Sequence, residues 1–353
     1  MSLTMQPLFS RDELTRFQAQ PELAKWLKFY HTWQWGLFQQ SLGKSIDRIG
    51  WYDQSELVAS ALVIQEASRF GPYCYLPRGP LLNYDNPALL RAVLKDLQDK
   101  YQGTNNLFLR IDPALGKTNL SAVVFADLKF RPAAKWFVQV GRAWIADLFE
   151  TEDAQMHWLS EHGMRSNVPR YLRRAIKAGV AVRRSSEMKD LETFLALLGG
   201  LDHRKGGIGR FPDQYYRQQF EILAPSGLEY VYLAELDGRA LATALITVSG
   251  IEASYLHGAS SDEHRDLHAP QYMHLEIMKD VRNLGASRYN FWGVIDSPQN
   301  HPSHYGYGYS TFKQSFGGYQ ELYIPAQDYP INSFKYKLQW LEEKQHMLRH
   351  KID

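Results

Sequence analysis

Cysteine is almost absent from this chain. Cys74 is the single one among 353 residues, so an internal disulfide is excluded and a reducing compartment fits. It stands in Tyr73-Cys74-Tyr75, a strand-like setting that points to a buried structural thiol rather than a nucleophile. Long apolar runs are also missing. No stretch approaches the roughly 18 apolar residues that a membrane span needs, and Met1 to Arg11 lacks the apolar core of a signal peptide. The expectation is a cytoplasmic protein that can still visit a membrane surface. Nor is there much charge of one sign: 40 Lys and Arg oppose 38 Asp and Glu, for a net charge of +2. That excludes a disordered polyelectrolyte and a wholly basic nucleic-acid coat, so affinity for a polyanion must come from a local patch.

Several catalytic signatures are lacking. There is no Gly-x-Ser-x-Gly elbow, no Gly-Lys-Ser/Thr ending of a nucleotide P-loop, and no Rossmann glycine fingerprint after the early strands. Arg282-Asn283-Leu284-Gly285-Ala286 reads as a helix C-terminus, the wrong end for an anion. His257, His264 and His268 are loosely spaced and have no cysteine or second cluster beside them, so no metal site is expected, and no cofactor.

What is present suits two domains. The length is large for one core, and 44% hydrophobic residues leave enough apolar material to bury. Helical spacing predicts helices within 23–40, 87–101, 157–178, 187–201, 212–223 and 270–284. Alternation predicts strands over 45–52, 57–67, 74–76, 107–111, 118–125 and 136–147, then 228–236, 240–248, 251–259 and 288–294. Each half runs helix, antiparallel strands, helix, strand, a pattern that fits mixed sheets with helices packed on them and a duplicated fold. The tail, 330–351, is amphipathic through Phe334, Leu338, Leu341 and Met347. It is expected to return to the first domain. An interfacial membrane helix is the alternative, set aside because the stripe is short and its polar face carries both signs.

Three segments carry chemistry. Arg170, Arg173, Arg174 and Lys177 stand at i, i+3, i+4 and i+7, which puts four cations on one helical face and points to phosphates of RNA or of a nucleotide-linked substrate. In the loop Leu201 to Phe211, Arg204 and Arg210 flank a glycine-rich run that could close over a phosphate, with Tyr215 and Tyr216 directly after. Lastly, Lys313 lies between Phe312 and Phe316 after an aromatic loop, a place to hold an anion or a developing oxyanion. The structural reading puts Phe312 and Phe316 on one apolar helical face and turns Lys313 to water.

Six motifs taken together resemble the FemABX family of peptidyltransferases, which build the interpeptide bridge of peptidoglycan. They are Tyr75-Leu76-Pro77-Arg78-Gly79-Pro80, Arg110-Ile111-Asp112-Pro113, Arg173 to Val180, Tyr255 to Ala259, Tyr289 to Val294, and Phe312 to Gly317. The resemblance runs from about Trp33 to Tyr323 and implies an α+β protein of two GNAT-like (acetyltransferase-like) domains, each a mixed twisted sheet flanked by helices. The first would span 1–150 plus the returning tail 320–353, and the second 151–319, without the coiled-coil arm of some relatives. It implies an aminoacyltransferase that moves an amino acid from aminoacyl-tRNA to a stem-peptide amine of a peptidoglycan precursor, lipid II or UDP-MurNAc-pentapeptide. It would work as a monomer in the cytoplasm or at the inner face of the plasma membrane, with peripheral membrane contact. By the same resemblance Lys313 stabilises the oxyanion. Arg204, Arg210 and Tyr215 hold the precursor, Tyr75, Arg78, Tyr255 and Phe312 line its groove, and Arg170, Arg173, Arg174 and Lys177 meet tRNA. Arg78 also has a structural reading, a turn cap or a pair with Asp112. The chain departs from the family pattern at Asn83 and Asn290, where aspartate is usual. A GNAT-type enzyme using acyl-CoA and a non-catalytic RNA- or glycan-binding relative remain as alternatives.

Overall fold

The structure, a computed structural model, describes residues 3–134, 139–204, 210–296, 301–304 and 306–350. It divides into two units, Met1–Gly141 with Leu322–Asp353, and Arg142–Glu321. The first unit begins with β1 (Leu3–Pro7), α1 (Arg11–Gln18), α2 (Trp33–Ser41), β2 (Ile46–Asp53), β3 (Glu56–Ser68), β4 (Gly71–Arg78), β5 (Leu81–Leu82), α3 (Pro87–Tyr101), β6 (Phe108–Pro113), α4 (Val123–Asp127) and β7 (Arg131–Pro132). The second holds β8 (Arg142–Asp147), α5 (Glu152–Glu161), α6 (Val168–Lys177), β9 (Ala181–Ser185), α7 (Met188–Arg204), α8 (Asp213–Leu223), β10 (Glu229–Leu236), β11 (Arg239–Ser249) and β12 (Glu252–Ser260). It continues with α9 (Ala269–Asn283), β13 (Arg288–Gly293), α10 (Tyr307–Gln314) and β14 (Tyr319–Leu322). Then β15 (Gln327–Pro330) and α11 (Ser333–His350) complete the first unit.

Each unit is built on a mixed sheet, as the composition and periodicity imply. In the first the strand order is β1-β2-β3-β4-β6-β15-β7, with β5 on β3. The pair β4 and β6 is parallel, and a parallel pair needs a crossover, which α3 supplies. Asn86 caps α3 by accepting from the Leu89 amide at 3.0 Å, Pro87 follows at its first position, and Leu89, Leu90, Val93, Leu94 and Leu97 are buried against the sheet. Burying each such leucine contributes about 1.5–3 kcal/mol before the entropy of ordering is counted. In the second unit the order is β14-β8-β13-β12-β11-β10-β9. Here β12 and β13 are the parallel pair, and α9 is the crossover, with Met273, Ile277, Met278 and Val281 buried.

Two expected strands differ. Residues 118–125 form a 3-10 turn, Leu120–Ala122, followed by α4. The apolar run Ala122 to Phe125 looks β-forming, yet the buried positions are Ser121, Val124 and Phe125, at helical spacing, while Leu120 and Val123 face outward. Asn119 starts the turn by accepting from the Ser121 amide at 2.8 Å. Of the strand expected over 136–147, residues 136–138 lie outside the described residues, and Arg142–Asp147 is strand β8. That strand pairs antiparallel with β13 in the second sheet rather than completing the first half. Alternation marks a strand but not its partner, which is set by contacts far along the chain. Strand β1, too short to stand out, pairs with β2 at one edge. Among the described residues no helix is long and apolar enough to cross a membrane.

Candidate functional site

Lys313 is not turned to water. It lies on α10, is 9% exposed, and donates from Nζ to the Gly293 carbonyl at 2.8 Å. The reason is in β13. The pairing of β13 with β8 slips between Asn290 and Gly293, and Trp292 takes a left-handed φ of 70°. Such a bulge re-aims the backbone beyond it, and here the next carbonyl meets the lysine. Asn290 holds the bend: its Oδ1 accepts from the Trp292 amide at 2.8 Å, and its Nδ2 donates to the buried Glu252 at 3.1 Å. At the other end of α10, Gly317 and Gly318 have φ of 86° and 121°, and a Cβ on either would run into the carbonyl oxygens of Leu159 and Ile145. Glycine is therefore required where the segment closes on α5 and β8.

The Lys313 ammonium sits 5.2 Å from the Tyr309 ring centre and 5.8 Å from that of Tyr255. No carboxylate pairs with it among the described residues, and burial alone pulls it from its ordinary range to about 7. Tyr255, Tyr309 and Phe312 also line a cavity of about 420 Å³, together with Thr243, His274 and Arg204. His274 is fully buried and ringed by Tyr255, Phe291, Phe312 and Phe316. Its Nδ1 is 2.8 Å from the Tyr289 hydroxyl. Burial, with the charge of Lys313, pulls it to about 3, so it stays neutral at physiological pH. The surroundings of Lys313 are thus apolar, uncharged and aromatic, a setting in which a cation attracts a nearby negative charge far more strongly than in water.

The structure brings Tyr255, Phe312 and Arg204 to one cavity, with Lys313 beside the Tyr255 ring. Arg204, at the end of α7, donates to the Ser260 carbonyl at 2.8 Å and pairs with Asp262 at 2.9 Å on the cavity rim. Arg210 and Tyr215 are not among the described residues lining the cavity. Arg210 is paired with Asp213 and lies 3.7 Å from Asp202, and Tyr215 stacks on Phe211 at 4.1 Å between centres. Residues 205–209 of the glycine-rich loop lie outside the described residues. On α6, Arg170, Arg173, Arg174 and Lys177 are all exposed or partly so, while Val168 and Ala175 face the core. Arg174 meets Asp266 at 2.5 Å, so the stripe is not wholly unopposed. Tyr171 of the same helix stacks at 3.5 Å on His268, a residue of the cavity wall, which brings the basic face next to the cavity.

Tyr75 and Arg78 belong to the first unit. Tyr75, on β4, is buried and accepts from the Gln139 amide at 3.2 Å. Arg78 is 4% exposed, donates to the Val140 carbonyl at 2.6 Å, lies 3.7 Å from Asp112 and stacks 4.6 Å from the Tyr323 ring centre. The pair with Asp112 is the structural role held beside the functional one. The Asn83 departure builds a turn, with Oδ1 accepting from the Asp85 amide at 3.0 Å. Asn290 fits its neighbours: its amide donates to Glu252 while accepting from Trp292, which an ionised aspartate cannot do.

His274 is a site residue that the sequence motifs do not single out. Its position is legible only as helical spacing with Ile277, Met278 and Val281 on the apolar face of α9. The Gly293 carbonyl is not legible at all, because a backbone bulge leaves no residue signature.

The comparisons fit this geometry. The sequence model of the FemAB family matches residues 9–240 and 234–344. Among relatives, the lipid II:glycine glycyltransferase of Staphylococcus saprophyticus is 24% identical over 376 aligned positions, covering 86% of this chain and 88% of that protein. Among solved structures, FemX superposes with a TM-score of 0.83 at 20% identity, over 95% of this chain and 99% of that one. A tandem GNAT protein from the clavulanic acid pathway superposes with a TM-score of 0.52 at 12% identity, over 94% of this chain and 99% of that one, which places both units in the acetyltransferase-like fold class. With the motifs in order along the chain and the family match running through both units, this protein belongs to the FemAB family.

Proposed function

We propose that this protein transfers an aminoacyl group from aminoacyl-tRNA to an amine on the stem peptide of a peptidoglycan precursor, lipid II or its UDP-linked muramyl pentapeptide. The observation that carries the reading is Lys313: a buried cation without a carboxylate partner among the described residues, beside two rings that line a cavity. Family membership and a relative named for glycyl transfer to lipid II support the reaction class.

In the step, the neutral amine of the stem peptide forms a C–N bond to the ester carbonyl of the charged tRNA, and the carbonyl electrons move onto its oxygen. Collapse of that oxyanion breaks the ester bond, and the ribose oxygen leaves with the proton that the amine gives up. Protonated Lys313 stabilises the oxyanion. The approach of a negative charge favours the protonated form of a group poised near 7, so the lysine is most fully charged as the oxyanion develops. Holding ester and amine in one cavity supplies much of the remaining rate, since an aminoacyl ester is already reactive. The basic face of α6 serves the tRNA phosphates. Arg204, with Arg210 and Tyr215 beyond it in the chain, serves the phosphates or carboxylates of the precursor.

The test is a transfer assay with tRNA charged by a pool of labelled amino acids and with either precursor as acceptor. Label is expected in the precursor, and its identity names the donor. Label reaching an amine only from acyl-CoA, with none from tRNA, overturns the reading in favour of an acetyltransferase-type enzyme.

A further inference from the structure

Helix α11 packs by one face only. Tyr336 and Gln339 are buried, and Glu343 reaches Arg110 at 2.9 Å. Residues 334, 338, 341 and 348 fall on the opposite side of the same helix. A helix with a solvated outer face carries polar residues there. This one carries Phe334 at 74% exposure, Leu338 at 36%, Leu341 at 41% and Leu348 at 72%, a stripe roughly 21 Å long at 1.5 Å per residue.

Three lysines and one acid, Glu342, stand beside this stripe. Lys337 and Lys344 flank it on one shoulder and Lys335 on the other. All three are exposed, and among the described residues none has a carboxylate partner. Of the two acids of the helix, Glu343 turns inward onto Arg110, and Glu342, on the Lys335 shoulder, is paired with Arg69 at 3.3 Å. The mixed signs of the sequence thus sort into paired acids and a rim of lysines.

We propose that the outer face of α11 docks on an anionic lipid surface. Phe334, Leu338, Leu341 and Leu348 enter the boundary between headgroups and acyl chains, and Lys335, Lys337 and Lys344 meet lipid phosphates. A second copy of this chain is the poorer occupant, because a two-fold contact on this stripe would set one lysine rim against another. The docking face belongs to the helix alone and does not depend on the transferase reading.

The test is co-sedimentation of the full chain with vesicles of mixed phosphatidylglycerol and phosphatidylcholine, and with phosphatidylcholine alone. The protein is expected to pellet with the anionic vesicles. Partitioning should fall about tenfold or more in the Leu338→Ser/Leu341→Ser variant, and to the level of the neutral vesicles in the Lys335→Gln/Lys337→Gln/Lys344→Gln variant. Both variants change exposed side chains, so thermal melts should match the wild type, and transfer to a soluble acceptor should be unaltered. The proposal is overturned if the wild type stays in the supernatant with anionic vesicles, or if the serine variant pellets as well as the wild type. A dimer in light scattering that the serine variant dissolves overturns it too.

Discussion

In the first unit Arg110 is 2% exposed, grips Asp328 with two bonds of 2.7 and 2.8 Å, and reaches Glu343 at 2.9 Å. In the second, Lys313 is 9% exposed and has one carbonyl at 2.8 Å. Other buried groups of the two units differ in the same way. Arg78 has Asp112 beside it, whereas burial holds Glu229 up to about 8 and His274 is pulled to about 3, so those groups favour their neutral forms at physiological pH. In the first unit these buried arginines meet carboxylates, Arg110 tying β6 to the returning β15 and α11 and Arg78 facing Asp112 from β4. The second keeps these buried groups uncharged and leaves one lysine on the edge of ionisation. A satisfied pair has nothing left for a ligand, but a lone amine in an apolar wall responds to any anion placed before it.

The largest expected effect breaks the first half of that contrast. Arg110→Met would strand Asp328 and Glu343 without their cation, and removing one partner of a buried pair costs about 3–5 kcal/mol. A urea unfolding series should show the midpoint falling accordingly. A change below about 1 kcal/mol would mean that β15 and α11 are held by packing around Phe108 and Tyr336 instead.

Lys313→Met tests the other half, with two readouts of opposite sign. Transfer should fall about 10²–10³-fold, the usual loss for one oxyanion donor. Stability near neutral pH should rise, because an amine whose charged form burial disfavours is replaced by an apolar side chain, offset in part by the Gly293 carbonyl losing its donor. The pH dependence has the same origin. The folded-state value of about 7 lies below the ordinary 10.5, so between those limits the unfolded chain binds more protons and wild-type stability climbs with pH before levelling off. The variant should lack that climb in denaturation series at pH 7 and 9. In kinetics, kcat/KM of the wild type should decline as pH rises through about 7, where the free enzyme loses the ammonium.

How much of the molecule is legible in its sequence divides along the same line. The two mixed sheets and their helices emerge from periodicity, because Leu89, Leu90, Val93, Leu94 and Leu97 or Tyr230 to Leu236 announce a helix or a strand locally. The candidate lysine emerges from its motif. Its burial does not, because the spacing of Phe312 and Phe316 also fits a lysine facing water, and only the bulge at Trp292 decides. The pairing of β8, though not the strand itself, and the helical turn of 118–125 escape the sequence, because the partner of the strand and the buried side of the turn are set by contacts that the local pattern does not name. The engaged acids of α11 cannot be read from composition, since Glu342 and Glu343 find their arginines far away in sequence.

Asn290→Asp sharpens the comparison by placing an unneeded charge in the second unit. The family's aspartate would lose the donor to Glu252 and set two carboxylates about 3.1 Å apart in a buried site. Glu252 keeps the Ser254 hydroxyl at 3.1 Å but loses its amide donor, and a hydrogen bond to a charged group contributes about 1.5–3 kcal/mol. Because Asn290 also holds the bulge that presents Gly293 to Lys313, transfer should fall along with the melting temperature. A fall in stability with full activity would show that the bulge survives without its amide.

The smallest effects belong to charges that are not buried at all. Arg170, Arg173 and Lys177 lie on the outer face of α6, so substituting them by glutamine should leave melting unchanged. If that face meets tRNA, each lost contact should weaken binding only a few-fold and lower the slope of log affinity against log salt by about 0.7–0.9. The loss should be uniform across tRNA sequences, since phosphate contacts carry no base information. An unchanged salt slope in the triple variant would remove α6 from the tRNA path and leave its charges as solvated surface. The stack of Tyr171 on His268 would then be the helix's tie to the cavity, and Tyr171→Ala the variant to measure next.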